Sequence, residues 1–321
     1  MSEYLAPIAY RVPADDEGLT VHAILRQRLK LSRTLVARLK MTECGIMLNG
    51  RRVYTSAPVI AGDLVEARME RESSDDILPE PLRIDVLYED EYLLIVNKAA
   101  GMIVHPTHGH YTGTLANGVV HYWQARGERV RFRPIHRLDQ FTSGVLAIAK
   151  NPYVHQHVSE QMKRWTVDKS YIAFVHGAPE PEAGTIDAPI DRDRDNPHVR
   201  VVTADGYAAR TAYTTVRRYA SCSAAAVRLR LETGRTHQIR VHMKHIGCPL
   251  IGDPMYGPGQ PSDDERLVHG LLDRQALHAE RLAFVHPASG ERVCYDAPLP
   301  DDLAELRNYL ERSDVKKGER R

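Results

Sequence analysis

Apolar positions change their period along the chain. Val21, Ile24 and Leu25 recur at helical spacing, and a second apolar face, Leu35, Val36 and Leu39, follows Ser32, a residue type suited to capping a helix start. From Gly45 the pattern shortens. Ile46 and Leu48, the hairpin-forming pair Asn49 and Gly50, and a last strand around Leu64 and Glu66 predict a small curled sheet. Beyond residue 84 strand patterns dominate, in IDVLYEDEYLLIVNK, VLAIAK, SYIAFVHG, AAAVRLRLET and ALHAERLAFVHP. Helices are predicted at PYVHQHVSEQMKRW and THQIRVHMKHIG. These elements alternate without a regular βαβ period, so the larger unit is expected to be α+β, with a mixed, largely antiparallel sheet.

Charge divides the same chain differently. The formal net charge is +1, so no global basic excess points to a polyanion, and any such signal is local. Residues 19–71 carry 10 Lys/Arg against 4 Asp/Glu, an excess of +6, with the basic groups off the apolar faces. The next stretch, ESSDDILPEPLRIDVLYEDE, is acidic and holds two close prolines, the composition of an exposed connection. The expected division is an N-terminal extension at 1–12, a small unit at 13–71, an acidic linker at 72–84, a large unit at 85–310 and a frayed basic tail at 311–321. The four cysteines form no CxxC pair and follow no apolar export segment, and the longest apolar runs fall far short of the ~20 residues a membrane helix needs. The expectation is a cytoplasmic protein with reduced thiols and no membrane partner.

Candidate chemistry begins at the helix of THQIRVHMKHIGCP. Ile239, Met243 and Ile246 fall at i, i+4 and i+7, Thr236 is placed to cap the start, Gly247 suits the left-handed exit, and Pro249 forbids continuation. Arg235 therefore emerges at a helix N-terminus, where free N–H groups already favour an anion. In RPIHRLDQFTSGVLAIAK, Asp139 sits on a loop just before a buried strand, where reactive groups tend to be held. Alone, such an aspartate most often caps a turn by accepting from Thr142 or Ser143.

It does not stand alone. NKAAGMIVHP, HRLDQFTSG, KSYIAFVHG, LETGRTHQIRVHMKHIGCPLIGDPMYG and ALHAERLAFVHP, in that order over residues 97–287, closely resemble the RluA-type pseudouridine synthase family. SRTLVARLKMTECGIMLNGRRV, closing with AGDLVEA, resembles the small RNA-binding domain of the fourth protein of the ribosomal small subunit. The first resemblance implies Asp139 as the essential residue, with the arginine of the GRTHQIR segment beside it, which we assign to Arg235. It also implies that Arg137 fills the stack vacated by a flipped-out uracil and that Tyr171 lies against the flipped ring. His136, Lys169, Thr236 and His237 are further expected RNA contacts from the same motifs. The second resemblance adds Arg33, Arg38, Lys40 and Arg51 as phosphate contacts. One departure stands out: family versions of HRLD continue with a basic residue and then an acidic one or glycine, where this chain has Gln140 and Phe141.

The implied reaction cuts the bond from ribose C1′ to uracil N1, turns the base and rejoins it through C5, with no redox change. A carboxylate suffices, by attack on the anomeric carbon, by attack on uracil C6, or by removal of the C2′ proton, and all three routes stay open. The expectation is therefore an RNA uridine isomerase, monomeric and without cofactor, acting on structured RNA, with large-subunit ribosomal RNA the expected substrate. A noncatalytic RNA-binding or ribosome-assembly factor on the same fold is the alternative. Of sixteen histidines, His105, His108 and His110 crowd one loop, and His242, His245 and Cys248 have HxxHxxC spacing, but no further ligand follows from spacing, and no metal is expected.

Overall fold

The computed structural model describes residues 3–259 and 262–318. In the first unit, Thr20 caps α1 (Val21–Ala23), which runs on into a π turn at Ile24–Arg28, and the Ser32 hydroxyl accepts from Leu35 N at 3.1 Å to start α2 (Arg33–Lys40). Four strands, β1 (Ile8–Arg11), β2 (Ile46–Leu48), β3 (Arg51–Arg52) and β4 (Leu64–Ala67), form an antiparallel sheet in the order β1-β4-β2-β3. Asn49 and Gly50 both take positive φ, as the tight hairpin between β2 and β3 requires. Strand β1 lies in the stretch expected as an extension: it completes the sheet by pairing with β4 over Ile8 to Arg11.

The large unit contains α3 (Leu115–Ala125), α4 (Pro152–Lys163), α5 (Gln238–His245), α6 (Asp263–His269) and α7 (Asp301–Gly318). Its strands are β5 (Val86–Glu89), β6 (Leu93–Lys98), β7 (Ser143–Ala149), β8 (Asp168–His176), β9 (Ala183–Asp187), β10 (Ile190–Arg192), β11 (Arg200–Val202), β12 (Arg210–Tyr219), β13 (Ala224–Leu231), β14 (Leu277–Val285) and β15 (Arg292–Asp296). Nine of them form one sheet in the order β5-β6-β7-β14-β8-β13-β12-β9, with β15 also on β14, while β10 and β11 make a separate ribbon. Only β7 and β14 pair in parallel among these described strands, so the sheet is mixed and largely antiparallel, and the class is α+β, as the sequence predicts.

Alternation along the central strands sorts residues onto two covered faces. Leu94, Val96, Leu146, Ile148, Tyr171 and Ala173 pack with Trp123 of α3 and Ile239 and Met243 of α5. Their sequence neighbours Leu93, Ile95, Val145 and Ala147 pack on Val154 and Val158 of α4 and run on into Leu35, Val36 and Leu39 of the first unit. The two units are also tied by Gln156, whose side chain accepts from Ser32 N at 2.7 Å and donates to Lys30 O at 2.8 Å.

Three expectations change. Segment 72–84 is not an exposed connection: Ile77 is buried in the main core, the Ser74 hydroxyl accepts from Phe132 N, and Leu78 O accepts from Asn117. The tail is helical through 318, because Leu310 is buried and Asp314 accepts from Ser221 N; residues 319–321 lie outside the described residues. Thr236 does not cap α5. His237 occupies that position at φ 57°, and Gln238 instead folds its side chain back to accept from Arg235 N and Thr233.

Candidate active site

Asp139 is delivered by a loop whose backbone is tied down independently of its carboxylate. Thr142 N donates to the main-chain oxygen of Asp139 at 3.1 Å, so the turn closes without the side chain. Thr142 and Ser143 are engaged elsewhere, with Gln275 at 3.2 Å and His278 at 2.9 Å. The turn-capping role is therefore not the one this aspartate plays. Gly144 follows at φ +117°, and a Cβ there would fall 2.2 Å from Ala279 O, so only glycine lets β7 close onto β14 beside the loop.

The departure at Gln140 and Phe141 also finds a place. Buried Lys98 donates to the carbonyls of Ala99, Met102 and Gln140, and Gly101 exchanges hydrogen bonds with Gln140 through N–H and carbonyl. Arg274 donates to Phe141 O while its other nitrogens grip Asp302. The loop is thus held through carbonyls, which any residue supplies. Burial pulls the Lys98 ammonium down to about 7, with the Asp139 carboxylate acting the other way; its three carbonyl partners also favour the charge.

The guanidinium beside Asp139 is that of Arg240, not Arg235. Arg240 Nη1 stands 3.5 Å from the Asp139 carboxylate, while its Nε and Nη2 bind both oxygens of Asp253 at 2.7 and 2.8 Å. Arg240 and Asp253 are both buried. Burial opposes both charges, but their paired hydrogen bonds more than offset it, holding Arg240 above and Asp253 below their usual ranges. Arg235 is exposed on the preceding loop, donating to Ala208 O at 3.1 Å with its guanidinium 5.6 Å from the Tyr207 ring centroid. Five residues separate the two arginines, and only Arg240 lies inside α5, turned toward the Asp139 and Asp253 loops.

Tyr171 shares a register row with Ala279 and Gly144 across β8, β14 and β7, which sets its ring on the core face next to the Asp139 loop. Its hydroxyl makes no hydrogen bond among the described residues, and burial together with the Asp139 charge raises its pKa. Lys169, two residues earlier, makes no ion pair among the described residues, and its Nζ is 3.9 Å from where a Cβ on Gly234 would lie. Burial lowers its pKa. Arg137 is exposed. His136 is not a cationic contact: burial pushes its pKa down to about 3, and its Nε2 accepts from Ala147 N. Thr236 is half-buried ahead of α5, and His237 binds Tyr256 through Nδ1 at 2.9 Å.

His242, the first histidine of the HxxHxxC spacing, is fully committed to protein, Nε2 donating to Ala188 O and Nδ1 accepting from Thr211. In the first unit, Arg33 and Lys40 are seven residues apart and so lie on one side of α2, while Arg38 is turned about 140° from Arg33. That rotation brings Arg38 onto Glu72, which also pairs with Arg131 and Arg133 of the large unit. Arg33, Lys40 and Arg51 remain exposed, and their side chains make no ion pair among the described residues.

Sequence reasoning missed Arg240, Asp253, Tyr256 and Lys98. The one available signal was the GDPMYG segment, whose Asp253 is the nearest downstream carboxylate to the buried arginine.

The sequence model of the RNA pseudouridylate synthase family matches residues 92–245. The RNA pseudouridine synthase YlyB of Bacillus subtilis is 43% identical over 271 residues, covering 84% of this chain and 86% of its own. The ribosomal large subunit pseudouridine synthase D of Neisseria meningitidis serogroup A is 37% identical over 312 residues, covering 94% and 82%. Among solved structures, human RNA pseudouridylate synthase domain containing 4 is 25% identical, covers 71% of this chain and 93% of its own, and superposes with a TM-score of 0.58.

Proposed function

The chain belongs to the RNA pseudouridylate synthase family, of the RluA type its motifs resemble, and on that premise we propose that Asp139 is the carboxylate that isomerises a flipped-out uridine in structured RNA. The observation that carries this is the Asp139–Arg240–Asp253 chain. An aspartate keeping 25% side-chain exposure, uninvolved in its own turn, faces a guanidinium immobilised by a buried second carboxylate. Arg240 thereby sets a positive charge beside the Asp139 carboxylate while being unable to swing away.

A uracil within a stem reaches such a site only by leaving the stack, at a cost of a few kcal/mol. Arg137, exposed two residues from Asp139, is our candidate to occupy the gap, and Tyr171 our candidate to pack on the extruded ring, its free hydroxyl available for proton transfer. Large-subunit ribosomal RNA is the proposed substrate, supported by the similarity to a ribosomal large subunit enzyme. The test is tritium release from RNA labelled at uracil C5, since isomerisation frees that hydrogen and binding does not. Release from a large-subunit ribosomal RNA transcript is expected; no release from any cellular RNA would reject the reading.

The first unit is proposed to be an RNA-docking domain of the ribosomal-protein type, and the cytoplasm the compartment. Arg33, Lys40 and Arg51 are its phosphate contacts, whereas Arg38 clamps the two units through Glu72. Arg33→Gln with Arg51→Gln should reduce the salt slope of RNA binding by about one per contact removed, as expected for counterion release. Arg38→Gln should leave the slope nearly unchanged. Filter binding over a range of salt concentrations checks both, and an equal effect of Arg38→Gln would rule out this division of labour.

A further inference from the structure

Tyr256 and His237 form a hydrogen-bonded relay next to the Asp139 site that no step above uses. The Tyr256 hydroxyl is 2.9 Å from His237 Nδ1, and it also accepts from the backbone N–H of Arg200 at 2.8 Å. Tyr256 is almost wholly buried, and no other acceptor for its single proton lies within hydrogen-bond distance among the described residues. If Nδ1 carried a proton, the phenol would accept twice and leave its own proton buried without a partner, a loss of the kind folded proteins avoid. The arrangement that satisfies every group has the backbone of Arg200 donating to Tyr256, and Tyr256 donating to His237 Nδ1. The imidazole proton is then confined to Nε2.

The same loop fixes the relay and the reacting carboxylate's partner. Asp253 accepts from the backbone N–H groups of Met255 and Tyr256 while holding Arg240, and the Arg240 guanidinium lies 4.8 Å from the Tyr256 ring centroid. His237 itself stands at the start of α5 in a left-handed backbone conformation, which asparagine, aspartate and histidine tolerate best among non-glycine residues. Its Nε2 has no hydrogen-bond partner among the described residues and is not sealed from solvent. Burial lowers its pKa, the Asp139 charge opposing, the direction that suits the neutral ring the Tyr256 bond requires.

We propose that His237 is a positioning residue that donates its Nε2–H to an acceptor oxygen of the substrate nucleotide, and that Tyr256 acts through it by fixing this tautomer. The acceptor is a uracil carbonyl or a phosphate oxygen of the same nucleotide. This inference rests on the pseudouridine synthase reading.

The test is a double-mutant cycle on the full-length protein, with a large-subunit ribosomal RNA transcript tritiated at uracil C5. Tyr256→Phe removes only the hydroxyl and should lower kcat/KM about tenfold, the weight of one well-placed hydrogen bond. His237→Gln keeps an N–H donor whose position needs no tautomer, so Tyr256→Phe in that background should change kcat/KM by less than about twofold. A loss confined to kcat assigns the acceptor to the base; a loss confined to KM assigns it to the phosphate, with the salt slope unchanged in either case because the donor is neutral. An equal loss in both backgrounds would overturn the proposal, because Tyr256 would then act through Arg240 or Asp253. A second readout needs no activity: nitrogen NMR of histidine-labelled protein, with His237→Gln identifying the signal, should show protonated Nε2 and unprotonated Nδ1, and the reverse would overturn the lock. Wild-type protein that releases no tritium yet shows this tautomer would reject the enzymatic reading alone.

Discussion

Asp139→Asn is expected to lower tritium release at saturating RNA by about 10,000-fold or more, the scale seen when a reacting group is removed from an otherwise intact site. Asparagine has nearly the same shape, and the loop does not depend on the carboxylate. Its turn closes through the main-chain oxygen of Asp139, and the next two carbonyls are held by Lys98 and Arg274. Arg240 keeps both bonds to Asp253 when the 3.5 Å contact to Asp139 is lost. Stability should therefore change by less than about 1 kcal/mol, since no buried partner is orphaned. RNA affinity should be unchanged or slightly tighter, because a negative charge has left the proposed RNA-binding site. Single-turnover assays and filter binding on the same preparation check both halves. Activity within about tenfold of wild type would remove Asp139 from the reaction, all three chemical routes included.

How far the sequence discloses this site depends on whether each residue's environment is local. The placement of Asp139 and Tyr171 is legible because the first lies just before a strand and the second within one, and the strands form where the apolar pattern places them. The arginine is harder. GRTHQIR offers two, and Arg235 looks better placed because it precedes a helix, whereas Arg240 stands between apolar Ile239 and Val241. A buried arginine becomes intelligible only with its counter-charge, and Asp253 lies thirteen residues further on. Lys98 is hidden similarly, since three carbonyls from two segments justify its burial. In the first unit the resemblance grouped Arg33, Arg38 and Lys40 with Arg51, but the helical period already separates Arg38 from the other two residues of α2. The acidic composition of 72–84 concealed Ile77, whose burial lays the segment along the core. Helix α3 was missed because Gly118 and the β-branched Val119 and Val120 are poor helix formers; the glycine serves to admit Ile84, whose side chain would meet a Cβ at 2.6 Å.

The reassignment from Arg235 to Arg240 makes the second large prediction, and stability separates it from a packing effect. Arg240→Met should reduce kcat by about 100- to 1,000-fold, as loss of one preorganised electrostatic partner does. It should also lower the unfolding free energy by about 3–5 kcal/mol, because Asp253 is left as an unpaired buried carboxylate. Arg240→Lys keeps a charge but not the planar fork that grips two carboxylates, so it should fall between Met and wild type on both measures. Arg235→Met should leave kcat within about twofold, its guanidinium being engaged only by Ala208 O and the face of Tyr207. The decisive variant is Arg240→Met with Asp253→Asn. Asparagine removes the stranded charge yet still offers the oxygen that accepts from Met255 and Tyr256 N–H, so much of the lost stability should return in urea denaturation. Turnover should not return with it, because no guanidinium faces Asp139. If activity recovers in step with stability, Arg240 supports the fold and not the reacting carboxylate.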